Sequence, residues 1–193
     1  MLAHHPRTRV IVMIVRSVEV RDLPLLYKWL CEPENTKWLE FTDTDVLKLK
    51  FMISRPRDVY RVFAPSASHA AVGIVAIVNI HPRHRHGTMW VVLGDKRYSG
   101  QGYTAQASSE TLKYVFDELK LNSISSYVVD SNRNPLVSIL GFRYYGRQRE
   151  CHYVDGRFRD RVWYELLSAE FTPVHYHEVD LDNRGNKVGA PSS

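Results

Sequence analysis

Met89-Trp90-Val91-Val92-Leu93-Gly94-Asp95-Lys96-Arg97-Tyr98-Ser99-Gly100-Gln101-Gly102-Tyr103 decides how this chain is read. Its apolar, β-branched opening reads as a buried strand. The basic, turn-rich continuation reads as a loop. Beyond it Ala105, Ala107, Thr111, Leu112, Val115, Phe116 and Leu119 recur at helical spacing. Strand, glycine loop and helix in that order aim several backbone N–H groups at an anion. Gly100 and Gly102 let the backbone come close to a phosphate, and Arg97 adds a fixed positive charge. The implied ligand is a phosphate-bearing cofactor. The loop lacks the Gly-Lys-Ser/Thr ending of a P-loop and one glycine of a dinucleotide fingerprint, so neither of those sites is indicated.

The rest of the chain sets the context. With 193 residues, 44% apolar and 24% charged, it has the size and composition of one globular domain. Cys31 and Cys151 are far apart in sequence and no cluster has metal-ligand spacing, so no metal is expected and a reduced, cytoplasmic setting fits. No apolar run approaches the ~20 residues that span a bilayer, so no membrane partner is expected. Val10 to Val15 is too short for a signal-peptide core. The net charge of +5 is spread out, which argues against nucleic acid as the main partner. Its densest group, His81-Pro82-Arg83-His84-Arg85-His86, reads as a solvated hairpin loop.

In order, the pattern predicts a strand over 11–20, a helix carrying Leu25, Leu26, Trp29 and Leu30, a break at Glu32-Pro33-Glu34-Asn35, and a second helix from Thr44-Asp45 to Pro56. Strands over 60–64 and 71–80 precede the central strand, loop and helix. A strand over 123–130, a short helix over 135–140 and strands near 142–152 and 159–167 complete the series. From Thr172 onward the apolar pattern stops, so residues 1–171 read as a single domain and 172–193 as a disordered tail. The expected class is α+β, with an antiparallel meander ahead of the glycine loop.

Arg97-Tyr98-Ser99-Gly100-Gln101-Gly102 fills the pattern Q/R-x-x-G-x-G/A, which resembles the acetyl-CoA pyrophosphate loop of the GNAT superfamily of N-acetyltransferases. The element order is similar to that fold from about Val15 to Phe171. Further likeness to the branch of ribosomal-protein N-terminal, amino-sugar and polyamine acetyltransferases lies in Arg21-Asp22 before Trp29, Pro33-Glu34-Asn35 before Trp38, Asn132, Leu140-Gly141-Phe142, Gly146-Arg147-Gln148-Arg149 and Asp155-Gly156-Arg157-Phe158-Arg159-Asp160. The resemblance implies a mixed, mostly antiparallel central sheet, flanked by helices and splayed where pantetheine inserts. It also implies acetyl-CoA as acyl donor and direct attack of a primary amine on the thioester. The acceptor would be a small metabolite, an amino sugar or a peptide N-terminus, and a homodimer is compatible with it. On that likeness the N–H groups of Gln101, Gly102, Tyr103 and Thr104 hold the pyrophosphate, Val92 and Leu93 bond the pantetheine arm, and Asn132 contacts it.

Two positions depart from the family. Thr88-Met89-Trp90 offers no ionisable group where many relatives keep a central-strand Glu, and Val137 stands where many have a Tyr acid. Candidate acid–base groups then fall late in the chain. Glu150 and His152, two residues apart on one strand, should face Asp160 on the returning strand, and Ser138 is a candidate for the departing thiolate. A cross-strand charge ladder is the competing reading of the same residues. For the acceptor, Trp29, Trp38 and Phe41 around Glu32, Glu34 and Asn35 suggest an apolar wall with carboxylates for an ammonium group; core packing is the competing reading for Trp29 and Trp38, and the better one for Trp29. Two other functions fit the sequence: a toxin-type acetyltransferase acting on aminoacyl-tRNA, and a catalytically inactive acyl-CoA-binding module.

Overall fold

The computed structural model describes residues 13–39, 45–132 and 134–174. Its strands are β1 (Ile14–Ser17), β2 (Val59–Ala64), β3 (Gly73–His81), β4 (His86–Leu93), β5 (Ser123–Val129), β6 (Arg143–Val154) and β7 (Arg157–Leu167). They form one sheet in the order β1-β2-β3-β4-β5-β7-β6. Every neighbouring pair is antiparallel except β4 with β5. That parallel pair needs a crossover, and α4 (Tyr103–Asp117) supplies it. The other helices are α1 (Leu23–Cys31), α2 (Pro33–Thr36), α3 (Val46–Ile53) and α5 (Leu136–Ile139). None of the helices among the described residues is long and apolar enough to cross a membrane.

The period-2 alternation of the strands sorts the core into two layers. On one face Val75, Ile77 and Met89 pack with Ala105, Leu112, Val115 and Phe116 of α4. On the other, Ile74, Ala76 and Val92 pack with Leu26, Trp29 and Leu30 of α1 and Leu49 of α3. The sheet is therefore covered on both sides at its middle. Trp29 is 4% exposed, and its indole lies so close to Gly94 that a Cβ there would stand 1.9 Å from the ring. Trp29 thus belongs to the core rather than to an open acceptor wall, and Gly94 is the residue that lets it lie flat beneath the end of β4.

Several boundaries differ from expectation for local reasons. The first strand ends at Ser17, because Glu19 and Asp22 close a capping box around one turn of 3₁₀ helix; Ile11 and Val12 lie outside the described residues. The break after α1 is a single helical turn, α2, entered through Pro33 at its first position. The last hairpin is longer than expected, since Asp155 and Gly156 both take positive φ, the two-residue turn that matches strand twist. Phe171 packs against Phe116 at 5.4 Å, and the Val174 N–H donates to Ser109 Oγ at 2.8 Å, so the chain stays on the domain through Val174. The remainder of the expected tail, like Glu40 and Phe41, lies outside the described residues.

Asp22 ties β1 to α1. Its carboxylate accepts two bonds from Arg16, at 2.7 and 2.8 Å, and one from the Glu19 N–H at 2.8 Å. Burial works against the charge, but Arg16 and the Glu19 N–H outweigh it and hold the carboxyl below the usual carboxylate range. A depressed folded value gives stability that is complete above the unfolded carboxylate value of about 4 and is lost as pH falls through the folded one. Asp22→Asn should therefore cost about 1–3 kcal/mol at neutral pH and flatten the loss of stability below about pH 4, as read by urea denaturation across pH.

Candidate active site

β4 and β5 pair only over His86–Thr88 and Ser123–Ser125 and then part. Backbone parity shows which groups line the opening. Gly94 N–H donates to Val72 O across the β3 side, so Val92 turns the same way, while Met89, Val91 and Leu93 turn toward β5. Met89 O confirms this parity by accepting Ser126 Oγ at 3.2 Å, the side-chain bridge at which the separation begins. On the opposite edge Asp130 N–H bonds Asp160 O of β7, which leaves Tyr127 and Val129 facing the opening. Val91, Leu93 and Tyr127 thus present main-chain groups to one gap, the arrangement that an extended ligand completes as an added strand. The Leu93 main chain lies on the gap side of β4, its carbonyl already accepting Lys96 Nζ at 2.7 Å, while the main chain of Val92 is engaged with β3.

The loop lies at the end of β4. Gly100 and Gly102 have φ of +74° and +83°, a conformation that side-chain-bearing residues resist. A Cβ on Gly100 would meet nothing within 4 Å, so the place is open as well as left-handed. The first bond of α4 runs from Gln106 N–H to Gly102 O, which leaves the N–H groups of Tyr103, Thr104 and Ala105 directed out of the helix end. Gln101 N–H turns back to Tyr98 O at 3.4 Å, so Ala105 replaces it in the expected set. The Arg97 guanidinium is held by Asp95 at 2.7 Å, and that contact keeps the Asp95 carboxyl below its usual range. Arg97 would therefore meet an anion with part of its charge already balanced by Asp95. Behind the loop, Lys96 Nζ bonds Leu93 O at 2.7 Å and Asn35 Oδ1 at 3.0 Å. Asn35 in turn donates to Trp29 O, so it braces the loop and does not offer itself to an acceptor.

Between the strands the gap is narrow, about 80 Å³, and is walled by Trp38, Trp90, Ser126, Tyr127, Asn132 and Val137 among others. Asn134 Oδ1 accepts the Leu136 N–H and so takes the capping role at α5, while Asn132 lines the gap. Leu39, Met89, Trp90 and Tyr127 are shared with a chamber of about 270 Å³ on the α3 side of the sheet. On the α5 side a cleft holds Ser138 and Tyr164 and shares Asn132 and Val137 with the gap. Ser126, Tyr127, Trp90 and Tyr164 were not singled out by the sequence pattern, in which each is one more strand residue. Only the order of β4, β5 and β7, distant in sequence, brings them together.

Neither the gap nor the chamber is lined by the late acid–base candidates. A bulge between Gln148 and His152 puts extra residues into β6 opposite β7, with Glu150 at φ +48°. Strand alternation is broken there, and Glu150 is exposed while His152 is buried, so the two do not share a face. Asp160 holds the bulge by accepting Glu150 N–H at 2.9 Å and Arg147 at 3.0 Å. The Glu150 N–H, with Arg147, keeps its carboxyl below the usual range, the wrong direction for a base near neutrality. His152 Nδ1 faces the Arg161 guanidinium at 3.1–3.2 Å and can only accept there, so Nε2 carries the proton and donates it to Lys37 O at 2.7 Å. Both ring nitrogens are engaged. Glu32 accepts from Asn35 and Glu34 pairs with Lys37 at 2.9 Å, so neither lines the chamber.

A family model described as an acetyltransferase (GNAT) domain matches residues 13–136. An uncharacterized N-acetyltransferase, p20, of Bacillus licheniformis is 24% identical over 170 residues, 82% of this chain and 94% of the relative. A putative ribosomal N-acetyltransferase of Bacillus subtilis (strain 168) is 28% identical over 103 residues, 51% of this chain and 55% of the relative. Among solved structures, spermidine N-acetyltransferase from Vibrio cholerae in complex with CoA and spermine is similar in fold, with a TM-score of 0.75 at 20% identity over 82% of this chain and 97% of that one. Ribosomal-protein-S5-alanine acetyltransferase from Vibrio fischeri gives 0.69 at 19% identity over 84% and 96%.

Because Trp29 has no room to recoil, Gly94→Ala should cost about 1–3 kcal/mol in urea denaturation. The variant should also weaken acetyl-CoA binding in calorimetry, since the added methyl displaces the loop that Lys96 and Asn35 brace.

Proposed function

The chain belongs to the GNAT acetyltransferase family and is an acetyl-CoA-dependent N-acetyltransferase; we propose that its acceptor is a primary amine, of a small molecule or a peptide N-terminus, admitted to the chamber on the α3 side of the sheet. One observation carries this reading. The gap lies beside β4, whose end runs into the left-handed glycine loop, and it shares Leu39, Met89, Trp90 and Tyr127 with the chamber, which supports a donor arm along β4 meeting an acceptor there. Acetyl-CoA would supply the activated acyl group as a thioester. The residues present fit it: the left-handed glycine loop and the α4 N-terminus suit a pyrophosphate, and Val91 and Leu93 suit the amide groups of an extended arm.

The chain's own contribution is mainly placement. Trp90 and Tyr127 border both gap and chamber, where the nitrogen and the acyl carbon must meet. Among the described residues lining these spaces there is no carboxylate or histidine. The amine therefore loses its proton to water, and rate follows the neutral fraction of the acceptor. Ser138, in the cleft that shares Asn132 and Val137 with the gap, is a hydroxyl that could accompany the leaving sulfur.

Gly102→Glu should abolish acetyl-CoA binding in calorimetry while the protein stays folded, by blocking the loop and repelling the pyrophosphate. Arg97→Ala should weaken it only a few-fold, because Asp95 already holds that charge. Glu150→Gln and Asp160→Asn should leave turnover within a few-fold, whereas loss of a true base costs about 10²- to 10⁴-fold. Unchanged affinity in Gly102→Glu would remove the loop assignment, and a base-sized loss in Glu150→Gln would restore that residue to catalysis.

A further inference from the structure

The chamber carries a charge pattern that its apolar walls conceal. Tyr60, Trp90 and Tyr127 give it an aromatic lining, with Tyr60 and Trp90 edge to face at 6.3 Å. Among the described residues lining it, Arg55 is the one that bears a charge. Arg55 follows α3, and its side chain is 53% exposed. Its nearest carboxylate, Asp58, is 4.0 Å away and almost wholly buried, while that carboxylate also accepts from Tyr60 OH at 3.4 Å. That ion-pair contact at 4.0 Å and the Phe51 ring at 5.8 Å engage few of the five guanidinium N–H donors. Burial, and then Asp58, push the Tyr60 phenol well above its ordinary value, so it adds no negative charge. The Tyr127 ring carries the Arg161 guanidinium at 4.5 Å, a cation that does not itself line the chamber. Among the described residues the chamber's lining charge is thus the Arg55 guanidinium, with Asp58 beside it turned to Tyr60.

A polycation suits such a space poorly, since bringing it in sets like charges beside one another. Planar guanidinium groups favour carboxylate and phosphate, which they bind through paired N–H bonds. At about 270 Å³ the chamber falls just under the usual range for drug-sized ligands, which suits an amino-acid-sized group. We propose that the acceptor is a small amine that also bears an anionic group, carboxylate or phosphate, with Arg55 as the residue that selects it. This rests on the reading of the chamber as the acceptor site. It sets this chain apart from the structural relative whose complex contains spermine.

Calorimetry on the CoA-loaded protein separates binding from turnover. The probes are L-phenylalanine for carboxylate, glucosamine 6-phosphate for phosphate, phenethylamine for an uncharged tail, and spermidine. At least one anionic amine should bind roughly 10- to 100-fold more tightly than phenethylamine and spermidine, the range of a charge-assisted contact. The arm that binds identifies the anion. Arg55→Gln should erase that preference, and Arg55→Glu should reverse the order of the anionic amine and spermidine, with melting temperatures showing that both variants fold. Tighter wild-type binding of spermidine than of either anionic amine would overturn the inference. So would an anionic preference that survives in Arg55→Gln. If the anionic amine binds through Arg55 yet no thiol is released from acetyl-CoA in its presence, Arg55 still selects the anion but the chamber is not the acceptor site, and the reading on which the inference rests falls.

Discussion

Parallel pairing of β4 with β5 stops after three residue pairs, and the site follows from that interruption. A buried strand edge must satisfy its N–H and C=O groups, and here the neighbouring strand does not do so beyond Thr88. Ser126 closes the first step with a side-chain bond, and past it the edge formed by Val91 and Leu93 faces an opening. An extended molecule with amide groups of its own fits that opening better than a compact one. The sheet can tolerate the interruption because both faces at its middle are packed, by α4 on one side and by α1 and α3 on the other.

The two ends of the opening are held by different means. At the loop, rigidity comes from burial: Trp29 lies under Gly94, and Asn35 and Lys96 link α2 to the last carbonyl of β4. The anion-binding groups themselves are backbone donors, whose directions are set by two left-handed glycines and the start of a helix. At the chamber, aromatic rings line the walls and Arg55 brings the charge. The bulge near Glu150 is a third device. Asp160 gathers the Glu150 N–H and Arg147 there, while His152 is fixed between Arg161 and Lys37. Such a cluster stabilises a bent hairpin. Among the described residues that line the gap there is no carboxylate or histidine.

What could be read from sequence was what local interactions decide. The glycine loop, the helix after it and the order of strands carry their own signals in φ preference, periodicity and turn chemistry, and the GNAT resemblance followed from them. The exchange of Val91 for Val92 was not legible, because it depends on which edge of β4 faces β3, a fact fixed by pairing with residues 72–78. Nor was the bulge, since Glu150 and His152 look like neighbours on one strand face until extra residues are set against β7. Arg55 drew no notice at the end of an ordinary helix. Its place at the chamber depends on β3, β4 and β5, from parts of the chain it precedes.

The central claim is that the edge of β4 at Val91 and Leu93 is completed by the cofactor. Amide hydrogen exchange, resolved residue by residue with and without CoA, tests it directly. Val92, already bonded to β3, should exchange slowly in both states. The amides of Val91 and Leu93 should exchange faster in the free protein and become protected when CoA binds. Saturating CoA that leaves Val91 and Leu93 unprotected would contradict the account, because the cofactor would then lie somewhere other than between the parted strands.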